Sequence, residues 1–102
     1  MNSTNPEFTL EIPAEHPCYA GHFPGDPLVP GALLVQWVAE KIPDLLPGHT
    51  PVTLRSMKFL APVRPGYCCV VELTVTGNKL SCTGRCNGTP VFQGQFLLEH
   101  TA

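Results

Sequence analysis

The sequence predicts an α+β domain in which an antiparallel sheet folds round one buried helix. Three observations predict it. A single stretch, Gly31 to Leu46, is apolar at helical spacing; strand-like runs joined by short turns follow it; and a short strand precedes it across a proline-rich loop. A helix that is apolar on most sides needs a curved sheet to cover it.

The elements follow in chain order. Phe8 to Ile12 alternates, with Phe8, Leu10 and Ile12 on one side, which is the pattern of a short strand. Pro13 to Pro30 carries Pro13, Pro17, Pro24, Pro27 and Pro30 and can be neither helix nor central strand. A loop of that length in a small domain tends to be functional. In the helix, Leu33, Leu34, Trp37, Val38, Ile42 and Leu45 recur at helical spacing, while Ala32, Val35 and Ala39 fill much of the rest. Pro43 is expected to distort or end its last turn, and Gly48 is a stop signal. Val52 to Leu60, Tyr67 to Thr76, Lys79 to Asn87 and Val91 to His100 then read as strands. Their connections are Pro62–Gly66, the hairpin signal Gly77-Asn78, and Gly88-Thr89-Pro90. Connections this short predict antiparallel neighbours. Cys69, Val71, Leu73 and Val75 share one predicted face, as do Leu80, Cys82 and Cys86.

The chain has 102 residues, the size of one domain, and is read as a single domain over 1–102. A domain this small buries only part of its apolar surface, so an apolar face or open sheet edge favours a dimer. Only 14% of residues are charged, which implies a surface that is largely neutral or covered by a partner. The net charge is −2 and no Lys/Arg run occurs, which argues against nucleic acid or an anionic membrane as partner. No apolar run reaches the roughly 20 residues of a membrane span. Met1 to Glu7 has neither a basic nor an apolar signal region, so a cytoplasmic location is expected.

The five cysteines are Cys18, Cys68, Cys69, Cys82 and Cys86. An odd count without a secretion signal argues for free thiols. Cys82 and Cys86 have no second ligand pair at zinc spacing, so no metal site is expected. Cys68-Cys69 reads as a pair of small core residues.

One segment is more specific than the rest: His22-Phe23-Pro24-Gly25-Asp26-Pro27-Leu28-Val29-Pro30-Gly31, at the end of the loop and the start of the helix. It resembles the H-F-P-G-x-P-x-x-P-G signature of the bacterial 3-hydroxyacyl-acyl-carrier-protein dehydratases, which have the hot-dog fold. Lys58-Phe59-Leu60-Ala61-Pro62-Val63-Arg64-Pro65-Gly66 is similar to the strand and turn that follow the helix in that family. In length and loop sequence the chain is more similar to the small dehydratase-like proteins of aryl polyene pigment clusters.

The resemblance implies elimination of water from a 3-hydroxyacyl thioester, giving a trans-2-enoyl thioester in fatty-acid-like or polyketide-like synthesis. A base must take the C2 proton and an acid must protonate the departing hydroxyl. Donors must also meet the charge on the thioester oxygen, and a helix N-terminus supplies them. The resemblance makes His22 the base, and Gly31, Phe23 and Pro30 substrate-binding residues, with the Gly31 N–H on the thioester carbonyl. Glycine there is expected to let the substrate approach closely. It implies no metal or organic cofactor. The substrate arrives on the phosphopantetheine arm of an acyl carrier protein. The site lies between two hot-dog subunits, identical or different, so that base and acid come from different chains. Arg55, Lys58 and Arg64 are candidate contacts for the carrier or for the arm's phosphate; otherwise they are exposed strand charges.

The acid is where the sequence departs from the pattern. The family carries Glu or Asp fourteen positions after the motif His, and here that position is Gln36. An amide hydrogen-bonds but does not release a proton at neutral pH. One turn on is Glu40, where the family often has Gln, and the two positions share a helix face. Three outcomes stay open: Glu40 acts as the acid from one turn deeper, Gln36 merely orients water or the hydroxyl in a weak site, or the site binds thioesters without dehydrating them. Two rival functions accompany these. One is a weak or silent subunit paired with an active dehydratase; the other is a thioesterase in which Glu40 activates water. On their own, Glu40 would be a solvated helix charge, Gln36 a buried amide, Trp37 core or dimer packing, Asp26 a turn residue, and His16, His49 and His100 loop or terminal residues.

Overall fold

Alternation and hairpin chemistry build the C-terminal half largely as the pattern predicts. The computed structural model describes residues 6–17 and 29–100. Among them it forms β1 (Glu7–Glu11), α1 (Gly31–Leu45), β2 (His49–Phe59), β3 (Cys68–Thr76), β4 (Lys79–Cys86) and β5 (Thr89–His100). Gly77 takes φ 63° at the β3–β4 turn, where the hairpin signal stands. The β4–β5 turn sits earlier than the sequence reading put it. Asn87 and Gly88 both have positive φ, 54° and 80°, and close a two-residue hairpin, so β5 already begins at Thr89.

The sheet order is β1-β3-β4-β5-β2, and every neighbouring pair is antiparallel. This corrects one expectation. The short link after β2 does not make β2 a neighbour of β3; β2 pairs with β5 at the far edge. The physical reason is register: β2 matches β5 from His49↔His100 to Phe59↔Phe92, and the Leu60 N–H continues the contact to the Val91 carbonyl at 2.8 Å. The segment 60–67 then returns to β3, where Tyr67 and Gly66 exchange backbone hydrogen bonds with Ile12.

One face of the sheet carries the core. Cys69, Val71 and Leu73 of β3, Leu80 and Cys82 of β4, and Phe92 of β5 are all but inaccessible, and Leu10 and Ile12 join them. Val75, expected on that face, lies near the strand end and is exposed. Helix α1 adds Leu33, Leu34, Val38 and Ile42 to the same core. Burial of the helix is one-sided, which corrects the expectation of a helix covered all round. Ala32, Gln36, Glu40, Lys41 and Asp44 are exposed, because a sheet on one side covers only the apolar stripe. Pro43 sits inside the last turn, and the helix runs past it to Leu45.

The cysteines also depart from the expectation of free thiols. Cys69 and Cys86 stand directly opposite each other on β3 and β4 and form a disulfide. Cys68 and Cys82 are free, the first exposed and the second buried. Burial pushes the Cys82 thiol up from 9.0 to about 11, against a lowering hydrogen bond from the Gly94 backbone.

Candidate active site at the start and outer face of the helix

Val29 and Pro30 set the helix start. Val29 donates its N–H to the Val63 carbonyl at 2.8 Å, which ties the chain entering the helix to the 61–67 turn. Pro30 is the N-cap, with φ −60° and ψ 138°, and its carbonyl accepts from the N–H groups of Leu33 (3.0 Å) and Leu34 (3.4 Å). Among the described residues no side chain caps this end, and no acidic residue occupies the first turn. Among the described residues, the N–H groups of that turn therefore carry the positive end of the helix dipole without a side-chain acceptor. The carbonyl-binding role expected of Gly31 would draw on these N–H groups.

The glycine at that start has a reason the sequence did not reveal. A Cβ on Gly31 would lie 2.5 Å from Cζ and 2.8 Å from Cε2 of Phe59. The space left by the missing side chain thus holds the tip of a β2 ring.

Gln36 and Glu40 do share an exposed helix face, and the Gln36 Nε2 donates to Glu40 Oε2 at 3.2 Å. At the ideal helical rise of about 1.5 Å per residue, their Cα atoms lie about 7.5 Å and about 13.5 Å past Gly31 along the axis. Helical side chains lean toward the N-terminus, so the Glu40 carboxylate reaches back to Gln36, and Gln36 is the group nearer the helix start. Glu40 also lines a groove of about 340 Å³ with Leu10, Pro13, Trp37, Lys41 and Asp44. Trp37 is half-buried there and meets the His16 ring edge-on, centroids 5.9 Å apart.

His22 and Phe23, assigned as base and substrate contact, lie outside the described residues, as do Gly25, Asp26 and Cys18. The candidate carrier contacts are not brought together. Lys58 projects from the sheet face opposite the helix, beside Gln93 and Thr83. Arg64 lies in the 61–67 turn with Tyr67 and Asn87. Arg55 occupies an irregularity in the β2–β5 register. Among the described residues no group of three or more His, Cys, Asp or Glu could hold a metal ion, and no helix is long and apolar enough to cross a membrane.

Known proteins supply the frame for this geometry. The 3-hydroxyacyl-[acyl-carrier-protein] dehydratase FabZ of Ehrlichia canis is 28% identical over 97 residues, covering 79% of this chain and 66% of FabZ. The chain spans about half to two-thirds of the length of such curated relatives. Among solved structures, the dehydratase heterocomplex ApeI:P from Xenorhabdus doucetiae superposes with a TM-score of 0.77 at 25% identity, over 90% of this chain and 84% of that one. A hot-dog-like protein from Thermanaerovibrio acidaminovorans does so with a TM-score of 0.64 at 18% identity, over 96% and 82%. The sheet and its single helix are therefore a hot-dog fold. A family model described as ApeI-like, ApeI dehydratase, matches residues 1–95, and the chain belongs to that family.

Proposed function

We propose that residues 1–102 act as one hot-dog domain of a 3-hydroxyacyl-acyl-carrier-protein dehydratase, working in the cytoplasm in fatty-acid-like or polyketide-like synthesis. The observation that supports an active site most directly is the Gln36–Glu40 hydrogen bond on the exposed face of a helix whose start, among the described residues, has no side-chain cap. The thioester carbonyl accepts from the Gly31 N–H. His22 takes the C2 proton, the C2–C3 double bond forms, and the C3 hydroxyl leaves as water with a proton from Glu40. Glu40 and Gln36 come from the helix of the other subunit, and the proton passes through one water held on that Gln36 amide. Glu40 ends as carboxylate and His22 as imidazolium, and a proton returned from His22 to Glu40 through solvent resets the site.

The site is completed between two subunits. Strand β2 is a long edge strand, and Leu54 and Leu60 on and beside it are exposed. An open apolar edge of this kind calls for a second strand edge. The similarity to a heterocomplex of two proteins supports a second reading, in which this chain pairs with a different hot-dog subunit that supplies part of the chemistry. Mass spectrometry of a 3-hydroxyacyl carrier protein incubated with the chain alone, and then with a candidate partner, separates these readings. Loss of water by the chain alone supports the first. Loss only with the partner supports the second, and release of free carrier thiol identifies a thioesterase.

A further inference from the structure

Phe59 is in an unusual position for an inward-facing aromatic. It stands directly opposite Phe92 across the β2–β5 pair, so both rings leave the sheet on the same side. Phe92 is fully buried, whereas Phe59 stays 50% exposed. The difference is what lies above each ring. Phe92 is under the core, while Phe59 reaches past the core to the first residue of the helix. Its Cζ, Cε1 and Cε2 atoms fill the position a Gly31 side chain would take. The ring tip thus packs on the helix start, and about half of the side chain stays exposed beside it. The neighbouring surface on β2 is also apolar: Leu54 is opposite Phe96 and Met57 opposite Gly94. The irregularity between Leu54 and Ser56 keeps Leu54 on the same face as Met57 and Phe59.

We infer that Phe59 is a positioning residue, the wall that holds a thioester against the Gly31 N–H, an assignment that rests on the dehydratase reading. Its ring sets both the distance of the helix start from β2 and the side from which the carbonyl reaches the donors. Misplacing bound reactants by about 1 Å costs rate steeply, so the ring's effect falls on the reaction more than on folding.

The test is a double-mutant cycle of Phe59→Leu and Gly31→Ala. Leucine lacks the three ring atoms that meet Gly31. An alanine methyl at position 31 therefore displaces the ring in the parent and has space beside the shorter leucine side chain. Each single variant is expected to lower kcat/KM for dehydration about tenfold, chiefly through kcat, with melting temperature and association state kept. Adding Gly31→Ala to Phe59→Leu is expected to cost less than about a further twofold, the signature of two groups acting through one contact. Additive losses would overturn the assignment. So would a Phe59→Leu variant that changes stability or association and leaves kcat/KM at the parent value. Should the parent bind a 3-hydroxyacyl pantetheine thioester by calorimetry without turning it over, the dehydratase reading fails, and the same cycle on Kd decides Phe59. A parent that does not bind the thioester overturns both.

Discussion

Gln36 gives its side-chain amide to the Glu40 carboxylate across one turn of the helix, 3.2 Å from nitrogen to oxygen. Both side chains are exposed, so the pair adds only about 0.2–0.5 kcal/mol to stability. Its consequence is orientation, because the carboxylate is drawn toward the helix start. Replacing Gln36 with alanine is therefore expected to leave the unfolding midpoint nearly unchanged and to lower dehydration about tenfold, by freeing Glu40 and removing the amide that holds the proton-carrying water. Paired denaturation and kinetic measurements check this; a variant that keeps full activity would remove Gln36 from the proton path.

The Cys69–Cys86 bond closes a loop with a sequence separation of 17 between the two central-core strands β3 and β4. A loop of that length is worth about 3 kcal/mol through the reduced freedom of the unfolded chain. Denaturant unfolding with and without a dithiol reductant is expected to differ by that amount. Identical curves, with Cys69 and Cys86 found as thiols in the untreated protein, would show that the bond does not form in solution.

Cys82 gives a pH-dependent prediction. Its thiol stays protonated in the fold until about pH 11, whereas the unfolded chain ionises it from 9.0. The folded state then holds the proton more tightly, so this contribution to stability is complete below pH 9 and is lost as the pH rises toward 11. Substituting Cys82 with alanine should flatten the fall in unfolding midpoint over that interval. Native alkylation at pH 8 should mark exposed Cys68 and spare Cys82. Equal labelling of the two would contradict the burial.

The exposed edge strand predicts its own result. An aspartate at Leu54 or Leu60 places a charge on the apolar surface beside the open side of β2. Subunit association, measured by sedimentation, is expected to weaken about tenfold or more. If the association state is unchanged, the partner meets another surface.

Much of this was legible in the sequence, for identifiable reasons. The inward faces of β3 and β4 follow from period-two alternation, and the helix from its apolar spacing. The Cys69–Cys86 pair was within reach too. The Gly77-Asn78 hairpin sets Thr76 opposite Lys79, and the same register, followed back along both strands, sets Cys69 opposite Cys86. The place of β2 was not legible, because a short link to β3 looks like a hairpin until the β5 register is known. Nor was Phe59: its neighbour Gly31 is distant in sequence, and the contact arises only when β2 reaches the sheet edge under the helix start. Within the candidate site, the motif gave the helix start and the shared face of Gln36 and Glu40. The hydrogen bond joining those two came from side-chain direction, which residue spacing alone does not specify.

The most direct test of the account is dehydration of a 3-hydroxyacyl carrier protein followed by mass spectrometry, comparing the parent with Glu40→Gln. The account predicts loss of water by the parent and a drop of about 10²-fold or more in the variant, as expected on removing a general acid. Equal rates for the two proteins would contradict it.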